Sequence, residues 1–151
     1  MLALGVSSVP TSAQQGSGEG SAQYAPDRGD AWVDRHLADI NRYADRYPDS
    51  FADELARYYA TPREYVLALL QQPGWTAGDV FMACALALRK AQPCRVLVRA
   101  RAASPEQAWA EVAGGVQAGA GVDGAEADDD VRDVREDIRG SYLRWARPLL
   151  D

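Results

Sequence analysis

An all-α fold, a compact orthogonal bundle of six or seven short helices around a buried central helix, is predicted by three observations. Apolar residues recur at spacings of three and four, prolines and glycines interrupt these segments at short intervals, and residues 80–88 are apolar on every side. A helix with no polar face has to be enclosed by the others.

The elements follow in order. Asp30 can cap a first helix reaching Arg46, with Val33, Leu37, Ile40, Ala44 and Tyr47 on its apolar side and Pro48 as its stop. Ser50 to Asp53 starts a short second helix that places Phe51, Leu55, Tyr58 and Tyr59 toward one side. Thr61-Pro62-Arg63-Glu64 combines a hydroxyl cap, a proline where its missing N–H costs nothing, and a glutamate able to reach back, which predicts a helix over residues 62–71. Pro73-Gly74 breaks the chain, and Thr76 to Asp79 restarts it by the same logic into the central helix. Beyond Pro93, residues 94–101 are valine-rich enough for a strand, but no partner strand exists elsewhere and helix is expected. Ser104-Pro105-Glu106-Gln107 reads as another capping box, opening a helix that carries Trp109 and Val112 and stops at Gly114-Gly115. The glycine-rich stretch 114–126 reads as a loop. The last helix, residues 128–147, has Asp128, Asp129 and Asp130 in its first turn and Arg139, Arg144 and Arg147 toward its end, matching the helix dipole. Val131, Val134, Ile138, Tyr142 and Trp145 mark its seam.

At 151 residues, with 25% charged and 47% hydrophobic residues, the chain has the composition of one folded domain. Residues 1–13 end in a small-x-small pattern after a short apolar run and read as the remnant of a secretory signal peptide. Residues 14–28 read as a flexible Gly/Ser/Gln leader, and residues 29–151 as a single helical domain, periplasmic or secreted. The longest apolar run falls far short of the ~20 residues of a membrane span, so none is expected in the mature protein. A net charge of −6 argues against nucleic acid as a partner.

Cys84 and Cys94 admit three readings: a disulfide, a metal half-site or two buried thiols. The metal reading lacks ligands, because His36 is the only histidine and structural zinc takes four N or S donors. Export favours the disulfide over free thiols. Its geometry makes a demand, since a central helix running straight to Ala91 carries its end ~10 Å beyond Cys84, whereas bridged Cα atoms lie within ~7 Å. The bridge therefore requires the helix to end near Leu88, or the next one to fold back steeply.

Other motifs are better explained structurally. His36 lies beside an apolar face with no nucleophile placed near it, so a partly buried, hydrogen-bonded histidine is expected. Asp53, Glu64 and Asp79 could be drawn into a hydrolytic dyad, but each already has a capping role. Residues 119–124 spell G-x-G-x-x-G, yet a helix precedes them and acidic residues follow, which would repel a pyrophosphate. The acidic stretch lacks the EF-hand order, and Arg28-Gly29-Asp30 is a turn followed by a cap. No cofactor is implied.

Charge is segregated. Arg89, Lys90, Arg95, Arg99 and Arg101 fall in a stretch without acids, while residues 123–137 hold eight acids against two arginines. Such patches pair within the fold, between copies, or with a partner, and Asp128, Asp129 and Asp130 join the five cations as candidate partner-binding residues.

Residues 61–98 resemble a family of small exported helical proteins of Gram-negative bacteria to which no activity is assigned. The matching features are TPREYV, then PGWTAGDVFMACALA, then Pro93-Cys94 with Val96 and Val98, and Trp145 near the C-terminus. The resemblance implies a helical fold in the cell envelope and supplies no catalytic residues. Downstream, QAWAEVAGG and the acidic segment stand where the family has a Gly-Trp-Gly run and a more basic stretch. The resulting expectation is a non-enzymatic protein-interaction module with an envelope protein or a second copy as partner. The alternatives are a cell-wall glycan or peptide hydrolase using a carboxylate pair, and a carrier of a small apolar ligand.

Overall fold

The computed structural model describes residues 30–121 and 127–151, the first two residues of the second segment by backbone alone. The segments read above as a signal remnant and a leader, and part of the acidic segment, lie outside the described residues. Seven helices form, and no strand occurs among the described residues: α1 (Ala31–Arg46), α2 (Pro48–Tyr58), α3 (Arg63–Leu70), α4 (Ala77–Arg89), α5 (Cys94–Ala103), α6 (Trp109–Gly114) and α7 (Ala127–Arg144).

α4 is the central helix, packed against α1, α3, α5 and α7. Its residues from Ala77 to Ala87 are all buried, because small and apolar side chains on every face let four neighbours approach. Leu88 departs from this pattern and is 47% exposed, since α4 is ending there. Val33, Leu37 and Ile40 of α1, Phe51 and Leu55 of α2, Leu97 of α5, Trp109 of α6, and Val134, Ile138 and Tyr142 of α7 complete one core.

Asp30 caps α1 by accepting from the N–H groups of Trp32 and Val33, and Thr76 caps α4 by accepting from Asp79. Other starts differ from expectation. α2 begins at Pro48 itself, so the proline that stops one helix opens the next, and Tyr58 faces outward. The capping box at Thr61 does not form. Ala60 adopts a left-handed conformation, turning Thr61 back so that its hydroxyl donates to the Tyr59 carbonyl at 2.9 Å, and Pro62 occupies the cap. The box at Ser104 also fails, because α5 runs to Ala103 and uses Ser104 as its C-cap. α6 starts at Trp109 instead, with the Glu111 carboxylate accepting from the Ala108 N–H at 3.2 Å.

α7 ends at Arg144, short of Arg147, because Ala146 takes φ 53°. The Ala146 N–H then donates to Leu143 and the Arg147 N–H to Tyr142, a Schellman closure with alanine in the left-handed seat. α4 closes identically, with Ala91 at φ 50° and Gln92 donating to Ala87. Gly119 docks on this turn and donates to the Lys90 carbonyl at 2.7 Å. A Cβ at Gly119 would collide with the Ala91 carbonyl oxygen, so the glycine serves close backbone approach, while residues 122–124 of the G-x-G-x-x-G stretch lie outside the described residues.

The Cys84–Cys94 disulfide is formed, with a Cα–Cα distance of 4.5 Å. α4 stops five residues past Cys84, and the Schellman turn swings α5 back across it. The demand read from the sequence is thus met by an early end and a steep return together.

Candidate partner-binding surface

The basic stretch divides into groups with different fates. Arg89 ends α4 and Lys90 is its C-cap, where cations complement the helix dipole. Opposite them α7 presents Asp130, Asp133 and Asp137, three and four residues apart and so on one face. Lys90 Nζ lies 3.3 Å from Asp130, both side chains only 9% exposed. Arg89 reaches Asp137 at 2.9 Å and Asp133 at 3.6 Å, and also donates to the Asp133 carbonyl. Burial pushes the Asp137 carboxyl above its ordinary value, with Arg89 pulling the other way. Arg89, Lys90 and Asp130 thus bind α4 to α7 inside the fold.

Arg101 is also engaged. It donates to the Gln107 carbonyl and lies 4.9 Å from the Trp109 ring centre, bridging the turn between α5 and α6. Asp129 is exposed and pairs with Arg132 at 2.9 Å. Asp128 stands in the first turn of α7, its side chain outside the described residues.

Arg95 and Arg99 remain. They are exposed, one turn apart on α5, with no hydrogen-bond or ion-pair partner among the described residues. Tyr65 of α3 lies near enough for both to act on it. Burial raises its hydroxyl pKa, and the two arginines oppose the rise. Beside Tyr65 opens a groove of about 280 Å³, with Ala60, Thr61 and Pro62 on one wall and Pro93, Cys94 and Arg95 on the other. The disulfide builds this groove. By fixing the first residue of α5 to the middle of α4, it sets Pro93 and Arg95 against the turn that starts α3. Sequence reasoning found the two cations but took both prolines as punctuation and missed Tyr65. The TP and PC dipeptides were the available signal.

The remaining polar groups form structural networks. Asp79 accepts from the Thr76 hydroxyl at 2.9 Å and the Trp109 indole at 3.3 Å. Arg63 holds Asp53 at 2.8 Å, and Glu64 is exposed on α3. Two buried carboxylates unforeseen from sequence, Asp39 and Glu54, each carry an arginine: Arg147 on Asp39 at 2.8 Å, and Arg144 on Glu54. Burial raises the Asp39 pKa, but hydrogen bonds from Tyr142 and Arg147 outweigh it and hold the carboxyl below its ordinary value. His36 is fully buried, more so than expected, with Nδ1 2.7 Å from the Trp32 carbonyl and Nε2 accepting the Leu150 N–H at 3.1 Å. No group of three or more His, Cys, Asp or Glu able to hold a metal occurs among the described residues, and no helix there is long and apolar enough to cross a membrane.

Comparison with protein-family models, curated proteins and solved structures returns no match to this chain.

Proposed function

We propose that this chain is an exported, non-enzymatic protein-interaction module whose Arg95–Arg99 face and adjoining groove seat an acidic segment of an envelope protein. The observation carrying this reading is the pair of arginines without a partner among the described residues, beside a groove walled by Tyr65, Pro62 and Pro93. Two neighbouring cations recruit carboxylates and speed encounter, while the proline and tyrosine surfaces suit an extended backbone. The hydrolase alternative draws less support, because Asp39, Asp53 and Glu54 are each held by an arginine and Asp79 by Thr76 and Trp109.

The test is affinity capture from envelope extract with the wild type and an Arg95→Glu/Arg99→Glu variant. A stoichiometric partner captured at low salt, released near 0.5 M salt, where screening shortens to about 4 Å, and absent with the variant supports the proposal. Capture of no partner at low salt, or equal capture by the variant, overturns it.

A further inference from the structure

His36 is closed in by aromatic rings and backbone. The Trp32 ring stacks on it with centroids 3.7 Å apart, the Tyr142 ring meets its edge at 5.3 Å, and the residue has no exposed surface. Its two nitrogens have opposite duties. The Trp32 carbonyl, 2.7 Å from Nδ1, can only accept, so Nδ1 carries the proton. The Leu150 N–H, 3.1 Å from Nε2, can only donate, so Nε2 is a bare acceptor. The imidazole is neutral in this arrangement, and a proton arriving at Nε2 would set one donor against another.

Leu150 belongs to a segment held by little else. The turn that closes α7 is fastened as far as Arg147, whose N–H donates to Tyr142 and whose guanidinium pairs with Asp39. Beyond it, residues 148–151 make two hydrogen bonds to the rest of the described residues: Leu150 donates to His36, and the main-chain oxygen of Asp151 accepts from Arg35 at 2.6 Å. Leu149 is exposed, and Leu150 stands outside the core cluster.

The surroundings resist an imidazolium. Burial weighs most, Arg35 of α1 and Arg139 of α7 add repulsion, and the Trp32 carbonyl and Asp39 oppose them. Asp39 is itself committed, since it accepts from Tyr142 and Arg147. Arg135, also on α7, lies over the Trp32 ring, and the C-terminal segment brings only the exposed Asp151. Undocking that segment opens Nε2 to water, which can accept the new N–H and solvate the charge.

We infer that residues 148–151 form an acid-released strap, docked while His36 Nε2 is a bare acceptor and let go when that nitrogen takes a proton. Docking requires the neutral ring, so release accompanies falling pH, with a midpoint below the ordinary histidine value of 6.5. Release breaks one bond directly and leaves Arg35 free of Asp151. The inference does not rest on the groove at Arg95.

The test is an NMR titration of the isotope-labelled full chain from about pH 7.5 to about pH 4.5, following the His36 ring, the amides of Leu149, Leu150 and Asp151, and the exchange protection of α4. The three amides should move to unfolded positions in one step that shares the His36 midpoint, while α4 stays protected. Leu150→Pro deletes the donor outside the core. By reciprocal linkage it should free the segment at neutral pH and raise the His36 midpoint by about 0.5–1 unit, the scale of one net hydrogen bond. His36→Gln, which cannot titrate, should abolish the step. Amides that stay in place while His36 titrates overturn the inference, as does loss of the segment and α4 together at one pH. So does an unchanged His36 midpoint in Leu150→Pro, or a step that survives in His36→Gln.

Discussion

Reducing the Cys84–Cys94 bond should lower stability by an amount set by the length of the loop it closes. The two residues are ten apart in sequence. For a loop of that length the chain-entropy relation removes about 9 cal/mol/K from the unfolded state, or about 2.7 kcal/mol at 25 °C. A folded domain of about 120 residues has an unfolding entropy near 0.25 kcal/mol/K at its midpoint, so the loss corresponds to about 11 °C in Tm. In urea, with a slope of about 1.5 kcal/mol/M, the midpoint should fall by about 1.8 M. Cys84 is fully buried and Cys94 5% exposed, so reduction is best done on unfolded protein, which is then refolded with reductant and checked for two titratable thiols. The slope should rise slightly, because the uncrosslinked chain exposes more surface on unfolding. A fully reduced protein whose midpoint moves by less than about 0.3 M would refute the loop-entropy argument. It would mean that the Schellman turn at Ala91 already confines this loop in the unfolded chain.

Three further outcomes follow from the fold. Asp130→Ala strands the Lys90 ammonium in a site only 9% exposed, and chemical denaturation should show a loss of about 3 kcal/mol, whereas Lys90→Met/Asp130→Leu should recover most of it. Gly119→Ala drives a methyl onto the Ala91 carbonyl and should cost about 1–3 kcal/mol in the same assay, with hydrogen exchange rising at the Gly119 amide. His36 has its pKa lowered by burial first, with Arg35 and Arg139 adding to the shift and the Trp32 carbonyl and Asp39 opposing it. The folded state thus favours neutral imidazole. Its contribution is complete above the unfolded value of 6.5 and is lost as pH falls below that value toward the lower folded pKa. Urea midpoints should drop between pH 7.5 and 5.5, and His36→Gln should flatten that dependence.

The elements of the fold were legible in the sequence to different degrees. The central helix was, because residues 80–88 carry no polar side chain, and all of them but Leu88 are buried. The seams of α1 and α7 were read from period alone, as Val33, Leu37, Ile40, Val134, Ile138 and Tyr142 all enter the core. The failed starts at Thr61 and Ser104 share one cause. A capping motif states what a terminus can do locally, while a left-handed Ala60 and the extended run of α5 to Ala103 decided otherwise. The three left-handed non-glycine residues among those described, Ala60, Ala91 and Ala146, carry no glycine signature and could not be anticipated.

The candidate surface shows the same division. Composition marked the cations from Arg89 to Arg101 as one patch, but helix phase and neighbours separated them. Arg89 and Lys90 close onto α7, Arg101 onto Trp109, and Arg95 and Arg99 are left exposed with no partner among the described residues. By itself the sequence determined a helical domain, its enclosed central helix and a cysteine pair that demands a sharp return of the chain, since these follow from local periodicity and from the short reach of a disulfide. Which charges are spent inside the fold, and which groove stands beside the two left over, was decided only by tertiary structure. Ion pairing depends on distances between helices 40 or more residues apart in sequence, and no local pattern encodes those distances.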